Sequence, residues 1–322
     1  MKYIFDNVSD KCSKLTTIAY STSFSFGIKA LDKKLHAPIY GIYGFVRFAD
    51  EIVDTFHDYD KHRLFHKFKE DTIDAIESKI SLNPILNSFQ KVVHDYNIEW
   101  ELINTFLDSM EMDLDELQTY DTDKYNKYIL GSAEVVGLMC LKVFVEGNEE
   151  QYEALKPSAM SLGSAFQKVN FLRDANSDFS YLGRTYFPGV NMVNFSEEDK
   201  QKIEEDIEID FAEALVGIKK LPLSSRGGVY LAYIYYYNLF RKIKSLPSSR
   251  ILQERIRIPN SNKISLMLQS ILKFEEIPKK LDSTDGLAAA VCHFYNENNV
   301  VGNVKYSGWG SFLKNNPERL KN

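Results

Sequence analysis

The sequence contains little cysteine, proline or glycine, and each shortage excludes a class of fold. Its 322 residues include three cysteines, Cys12, Cys140 and Cys292, which lie far apart. Neither a disulfide framework nor a cysteine metal site is therefore expected, and the thiols suit a reducing cytoplasm. With 9 prolines and 16 glycines, the chain is poor in turn-forming residues and favours long helices over a turn-rich β fold.

Long apolar runs and an excess of positive charge are also missing. No segment approaches the roughly 18 consecutive apolar residues of a membrane-spanning helix. The first seven residues carry Lys2 and Asp6 and have no apolar core, so no signal peptide is predicted. The net charge of −6 argues against nucleic-acid binding. We therefore expect a cytoplasmic protein whose contact with a membrane, if it has one, is peripheral.

Helical periodicity dominates the pattern of apolar residues, and hydrophobic residues make up 44% of the chain, enough for a sizeable core. No strand-like alternation of useful length occurs before residue 275, so an all-α body is predicted. Pro38, Pro84 and Pro157 are placed in the first turns of their helices. The predicted helices span about 9–31, 38–55, 60–80, 84–95, 99–116, 124–146, 157–177, 196–221, 225–246 and 262–274.

The composition changes beyond Pro278. Residues 279–322 contain six basic and four acidic residues, a charge of +2, whereas the rest of the chain carries −8. This segment is also rich in asparagine and glycine. We expect a main domain over residues 1–278 and a short appended tail over 279–322.

Two acidic clusters, each with an i,i+4 aspartate pair, are the most informative motifs. Asp50 and Asp54 follow the apolar run 39–46, and Asp174 and Asp178 follow Asn170 on a second predicted helix. This spacing places both carboxylates of a pair on one helix face. One such pair is usually a solvated face, but apolar flanking sequence on two separate helices favours a binding site. Mg²⁺ is typically held by carboxylates together with substrate phosphates, so the clusters predict a site for a Mg²⁺–diphosphate substrate.

Several ordered motifs resemble the squalene/phytoene synthase family, from about Ser21 to Phe274. The resemblance implies an isoprenoid synthase-type helical bundle around a central cavity. The matching segments read STSF at 21–24, YGFVRFADEIVD at 43–54, MEMDL at 110–114, GSAEVVGLM at 131–139, QKVNFLRDANSD at 167–178, GRTYFP at 183–188, YYNLFRKI at 236–243 and RIR at 255–257.

The resemblance implies head-to-head joining of two isoprenyl diphosphates to phytoene through a cyclopropyl diphosphate. It implies Mg²⁺, with Mn²⁺ as a substitute, and no NADPH. The resemblance assigns three roles to residues of this sequence. The metal ligands are Asp50, Asp54, Asn170, Asp174 and Asp178; the substrate contacts are Ser21, Ser23, Phe24, Arg47, Gln167, Asn170, Arg173 and Arg184; and Tyr43, Tyr186 and Tyr236 flank the carbocation.

Other interpretations stay open from the residues alone. Ser21 and Ser23 also suit helix capping, Arg173 also suits a structural ion pair, and any single tyrosine also suits plain packing. Small residues at Gly131, Ala133 and Gly137 would let helices approach closely and leave room for a prenyl chain. The substrate is geranylgeranyl diphosphate in the leading hypothesis and farnesyl diphosphate, giving squalene or dehydrosqualene, in the alternative. Peripheral membrane contact would serve product release, and a non-catalytic assembly factor is the distant alternative.

The tail resembles a different family, the RuvC-type Holliday junction resolvases, in the segment from Leu281 to His293 and again near Trp309. Asp282 and Asp285 would match two of that family's metal-binding acids. The acidic strands that complete such a site are absent from the sequence. We therefore expect a non-catalytic fragment without nuclease activity, and binding to DNA junctions through it is a second distant alternative.

Overall fold

The computed structural model describes residues 1–114, 120–182, 186–253 and 255–257. For residues 177–182 and residue 193 it describes the backbone but not the side chains. All regular elements in these ranges are helices, as the sequence predicted. The α-helices are α1 Lys2–Tyr20, α2 Thr22–Lys29, α3 Lys33–Asp54, α4 Lys61–Ser78, α5 Pro84–Asp95, α6 Trp100–Glu111, α7 Thr122–Ile129, α8 Val135–Phe144, α9 Glu149–Leu182, α10 Glu197–Lys220, α11 Leu223–Lys244 and α12 Ser248–Ile251. The predicted helix at 262–274 and the proposed boundary at 278 lie outside the described residues.

Several helices begin at other residues than predicted, because a polar capping residue, and not a proline, marks the first turn. The single helix predicted over 9–31 is two helices, because Ser21 is extended and its Oγ accepts a hydrogen bond from the backbone N–H of Phe24. The first-turn placement of Pro38 and Pro157 is wrong, since both lie inside α3 and α9. Asp32 caps α3 at Lys34, several residues before the proline, so the cap decides where the helix begins.

Helix α3 runs through the centre of the bundle. Phe45 on α3 is fully buried and stacks on Phe89 of α5 with ring centroids 3.9 Å apart. Phe68 of α4 and Phe106 of α6 pack against the same ring. Helices α9, α10 and α11 pack side by side, and α8 and α11 contact α9. The two predicted acidic motifs therefore lie on α3 and α9, both of which are inner helices.

The helix predicted over 124–146 is interrupted by a π-helical turn, Leu130–Glu134, between α7 and α8. Such turns are rare and are often found at functional sites. Gly131 lets this turn approach α6, because a Cβ there would lie 2.4 Å from Cβ of Ser109. On the other side, a Cβ on Gly163 of α9 would lie 2.6 Å from the carbonyl oxygen of Ala133. The turn is thus held between α6 and α9 by small residues, one of which the sequence had singled out.

We expect Gly131→Ala to lower the free energy of unfolding by about 1–3 kcal/mol, because the added methyl group overpacks this contact. Gly227→Ala on α11 is the matched control, since its Cβ would meet nothing closer than the Ala30 carbonyl oxygen at 3.5 Å. That change should leave stability unchanged or raise it by up to about 1 kcal/mol, through helix propensity. Urea unfolding of both full-length variants measures the difference, and equal stabilities would contradict the close approach.

Candidate active site

An apolar cavity of about 290 Å³ lies among α2, α3, α8, α9, α10 and α11. Leu31, Phe144 and Leu155 line it where α2 and α8 end and α9 begins. Its polar lining includes the predicted substrate contacts Gln167 and Asn170, one turn apart on α9. A cavity of this composition suits a long hydrocarbon chain whose polar end lies against a few polar groups.

Small residues shape much of the cavity wall. Ala133 and Gly137, which the sequence analysis named, line it together with Gly163, Gly217 and Gly228. At Gly217 and Gly228 an added Cβ would come within 2.5 Å of Ser158 and of Leu31 respectively. The sequence did not single out these last three glycines, because only the packing of helices distant in sequence shows that no side chain fits there.

The first acidic cluster, near the end of α3, holds its carboxylates close together. Asp50 accepts a hydrogen bond of 2.5 Å from Nη1 of Arg47, and Glu51 pairs with Nη2 of the same guanidinium. Burial raises the pKa of Asp50 to about 7, and the negative charges of Asp54 and Asp113 add to the shift. A carboxyl group in this setting is a ready acceptor for a positively charged ligand, because such a ligand would offset the repulsion.

The second acidic cluster, on α9, is also bounded by arginines. Asp174 pairs with Nη2 of Arg173 at 2.5 Å, which is the structural ion pair that the sequence left as an alternative. Nε of Arg255 lies 2.7 Å from the other oxygen of the same carboxylate. Nδ2 of Asn176 donates to the carbonyl oxygen of Gln253 at 3.1 Å, which holds the segment after α12 against α9. Two guanidinium groups therefore lie at the Asp174 carboxylate, within reach of any anion bound there.

Aromatic side chains link the two clusters across the cavity. The ring of Phe24 lies 5.7 Å from that of Tyr43 on α3 and 6.1 Å from that of Tyr236 on α11. The Tyr43 hydroxyl is within hydrogen-bonding distance of Ser21 and close to Arg47, and burial raises its pKa to about 12. Tyr236 is near Asn170 and Arg173, so each tyrosine faces one of the clusters. The hydroxyl of Ser21 thus contacts Tyr43 in addition to capping α2.

Four other predicted site residues are not among the described residues that line the cavity. Tyr186 is buried in a separate group of rings, stacked on Phe171 at 4.0 Å, and it is not among the described residues that line the cavity. Ser23 is partly buried in the first turn of α2. Asp178 lies on α9, but its side chain is outside the described part of the structure, as is the whole of Arg184.

Three further polar residues at the candidate site had no role assigned from the sequence. Arg255 belongs to a recognised motif, but only the fold brings it to Asp174. Asp113 also belongs to one, and its Oδ2 accepts a hydrogen bond of 2.7 Å from the Tyr128 hydroxyl. Ser132 lies in the π-helical turn and lines the cavity, and its buried hydroxyl has no hydrogen-bond partner among the described residues. Ser132 also belongs to a recognised motif, GSAEVVGLM at 131–139, but helical periodicity does not reveal the π-helical turn that brings it to the cavity wall.

The donor atoms at this end of the cavity suit a hard divalent cation. Oδ1 of Asn170 is buried without a hydrogen-bond partner within the described ranges, and it belongs to the residue expected to be a neutral ligand. The crowded carboxylates of Asp50 and Asp54 supply only acceptor oxygens, which Mg²⁺ prefers. No three histidine, cysteine or acidic side chains among the described residues form a ready-made metal cluster. The carboxylate of Asp178, a proposed ligand, is outside that set.

Comparison with known proteins identifies the class that this fold and cavity define. The family model for squalene/phytoene synthases matches residues 18–262, about three quarters of the chain, and the chain belongs to this family. Among solved structures, a dehydrosqualene synthase in complex with ligand has a TM-score of 0.66 at 19% identity and covers 91% of this chain and 98% of its own. That likeness shows the isoprenoid synthase helical fold that the sequence predicted.

Individual synthases are similar to this chain over part of their length. The presqualene diphosphate synthase of Sinorhizobium fredii is 31% identical over 189 residues, which cover 58% of this chain and 65% of that protein. The chloroplastic phytoene synthase 1 of Solanum lycopersicum is 24% identical over 263 residues, which cover 73% of this chain and 61% of that protein. The chain thus spans less than two thirds of the length of each of these relatives, and their names give different products.

The second resemblance found in the sequence is also confirmed. The crossover junction endodeoxyribonuclease RuvC of Christiangramia forsetii is 40% identical over 85 residues, which cover 24% of this chain. This share is larger than the segment 279–322 alone, so the similarity is longer than expected. The chain spans only 44% of that nuclease.

In the described part of the chain, no helix is long and apolar enough to span a membrane.

Proposed function

We propose that this chain joins two molecules of geranylgeranyl diphosphate head to head, through a cyclopropyl diphosphate, to give phytoene. The family condenses prenyl diphosphates. The observation that supports the proposal is the apolar cavity whose polar lining lies between two acidic clusters with arginines. Such a cavity accommodates the prenyl chain, and the clusters provide the charges that a diphosphate group requires.

In this proposal the basic residues bind the diphosphate group, and the acidic residues bind the metal ion. Arg47, Arg173 and Arg255 would bind diphosphate oxygens, since a guanidinium group matches phosphate geometry. Asp50, Asp54, Asn170, Asp174 and Asp178 would hold Mg²⁺, which neutralises the diphosphate when bound and so makes it a better leaving group. The family binds diphosphate through a divalent metal, generally Mg²⁺.

Ionisation breaks the allylic C–O bond, and the diphosphate leaves with the electron pair. The C2=C3 double bond of the second molecule attacks the resulting cation, and loss of a proton closes the cyclopropane ring. The faces of Phe24, Tyr43 and Tyr236 attract positive charge, so their position favours the cation without supplying a nucleophile. The apolar walls keep water from quenching it. Ionisation and rearrangement of the cyclopropyl diphosphate, followed by proton loss, give phytoene without a reductant.

Small residues in the cavity wall support the longer substrate, because they leave space where larger side chains would shorten the cavity. The farnesyl alternative is favoured by one observation, the 31% identity to a presqualene diphosphate synthase. Incubating the full chain with each diphosphate and Mg²⁺, with and without NADPH, tests both proposals, and mass spectrometry identifies the hydrocarbon.

We expect a C40 product from geranylgeranyl diphosphate that forms without NADPH, disappears with a chelator and returns with Mg²⁺ or Mn²⁺. A C30 product made only from farnesyl diphosphate would move the assignment to the alternative. Absence of product from either diphosphate would favour a non-catalytic role.

A further inference from the structure

Helix α1 has the reverse of the usual amphipathic arrangement. Its fully buried positions are Ser9, Ser13 and Thr17, all small and polar. Its large apolar residues point the other way, with exposed fractions of 50% for Ile4 and 68% for Leu15. A helix that packs on a core normally buries its apolar stripe. Here the polar side fits the bundle, and the apolar side lies outward.

The outward residues form one continuous stripe. At about 100° per residue, Ile4, Val8, Leu15 and Ile18 fall within an arc of about 80°, opposite the buried hydroxyls. Of the fifteen large hydrophobic residues exposed in the described ranges, seven lie between Met1 and Tyr20. We call the set Ile4, Val8, Lys11, Lys14, Leu15 and Ile18 the α1 outer face. Exposed apolar residues concentrated in this way mark an interaction surface.

The acidic and basic side chains of α1 also lie on different sides of the helix. Its two acidic residues point towards α5, where Asp6 accepts from Asn87 and Asp10 accepts from Ser88. Lys11 and Lys14 are exposed beside the apolar stripe and form no ion pair within the described part of the chain. The outer face thus combines apolar side chains with uncompensated positive charge, which is the pattern of helices that lie in the interface of an anionic membrane.

The C-terminal end of α1 reaches the candidate active site on the side opposite the outer face. The ring of Tyr20, the last residue of α1, lies 4.4 Å from the guanidinium carbon of Arg47. Ser21 follows directly and contacts Tyr43 of the cavity wall. A membrane bound along the outer face would therefore be separated from the diphosphate end of the cavity by the width of α1.

We propose that the α1 outer face docks on an anionic lipid surface and holds the diphosphate end of the cavity one helix width away from it. The purpose rests on the proposed function, since prenyl diphosphates are amphiphiles and the product is a hydrocarbon. Binding itself needs no substrate. Failure of the docking would therefore leave the synthase reaction untouched, and failure of the reaction would leave the docking to be judged alone.

Sedimentation of the full chain with vesicles of phosphatidylcholine and phosphatidylglycerol in equal parts tests this proposal, with pure phosphatidylcholine vesicles as the neutral comparison. We expect binding to the anionic vesicles that weakens with added salt. The double variant Ile4→Ser/Val8→Ser should lower the partition coefficient about tenfold or more. Lys11→Gln/Lys14→Gln should lower it to a similar extent and remove most of the salt dependence.

Matched controls come from α10, where Ile209 and Val216 are 66% and 53% exposed. Ile209→Ser/Val216→Ser and Lys219→Gln/Lys220→Gln should bind vesicles as the unchanged protein does, and all variants should keep its melting temperature. Three results would overturn the proposal: no binding by the unchanged protein, equal loss in the α10 controls, or a dimer in light scattering that Ile4→Ser/Val8→Ser dissociates. The last result would assign the face to a second copy of the chain.

Discussion

Asp50→Asn is expected to lower turnover about a hundred- to thousandfold while the helical fold remains intact. Asparagine has the size of aspartate but lacks the charge needed to hold a cation against the diphosphate, and losing one such electrostatic contribution has an effect of this order. Product formation from geranylgeranyl diphosphate measures the change. Asp95→Asn is the control, since Asp95 lies at the end of α5, is exposed and pairs with Lys91.

The same substitution should change how stability depends on pH. The pKa of Asp50 rises from 3.8 to about 7 on folding, so the folded state binds its proton more tightly than the unfolded state does. The stability that this proton provides is fully present below pH 3.8 and is lost as the pH rises through 7. Asp50→Asn should therefore be more stable than the unchanged protein at pH 8, by about 1 kcal/mol, because 35% of the side chain is exposed and water screens the effect.

Unfolding by urea at pH 5 and pH 8 tests this expectation, and Asp95→Asn should show no such gain.

An Asp50→Asn variant that keeps full turnover would show that the Asp50 carboxylate is not needed for diphosphate ionisation. A variant that loses both turnover and helix content would say nothing about charge, and Asp50→Glu, which keeps the carboxylate, would then decide between the two effects.

Val136→Phe is expected to lower kcat/KM for geranylgeranyl diphosphate about ten- to hundredfold, because the ring would occupy space proposed for a prenyl chain. Val136 lines the cavity on α8, next to Gly137. Overpacking of this kind costs about 1–3 kcal/mol, and each 1.4 kcal/mol corresponds to a factor of ten in rate. The effect on farnesyl diphosphate should be smaller, since its chain is one isoprene unit shorter.

Steady-state kinetics with the two diphosphates measures the difference. Val216→Phe is the matched control, since the same substitution is made at a position on α10 that is 53% exposed. The control should keep both rates. Equal losses for the two substrates would indicate general damage to the fold, and unchanged kinetics would show that the chain does not extend past Val136.

The sequence alone determined the helical class, the family and the positions of the two acidic motifs. These features are local or nearly local, because apolar periodicity defines a helix face and an i,i+4 spacing places two carboxylates together. Helices α4, α5, α10 and α11 begin and end within about two residues of the prediction. The facing pair Gln167 and Asn170 was likewise visible from spacing on one helix.

Tertiary structure decided what depends on contacts between residues distant in sequence. Arg255 reaches Asp174 across 81 positions, and no periodic signal predicts such a pairing. Glycine is required at 217 and 228 only because Ser158 and Leu31 pack directly against these positions. Helix α1 was predicted only from residue 9 onward and as one helix with α2, and which of its sides is buried follows from the hydroxyl-lined contact with α3 and α5. Side-chain packing, and not the local pattern, thus determines where this chain has its cavity and which apolar surface stays exposed.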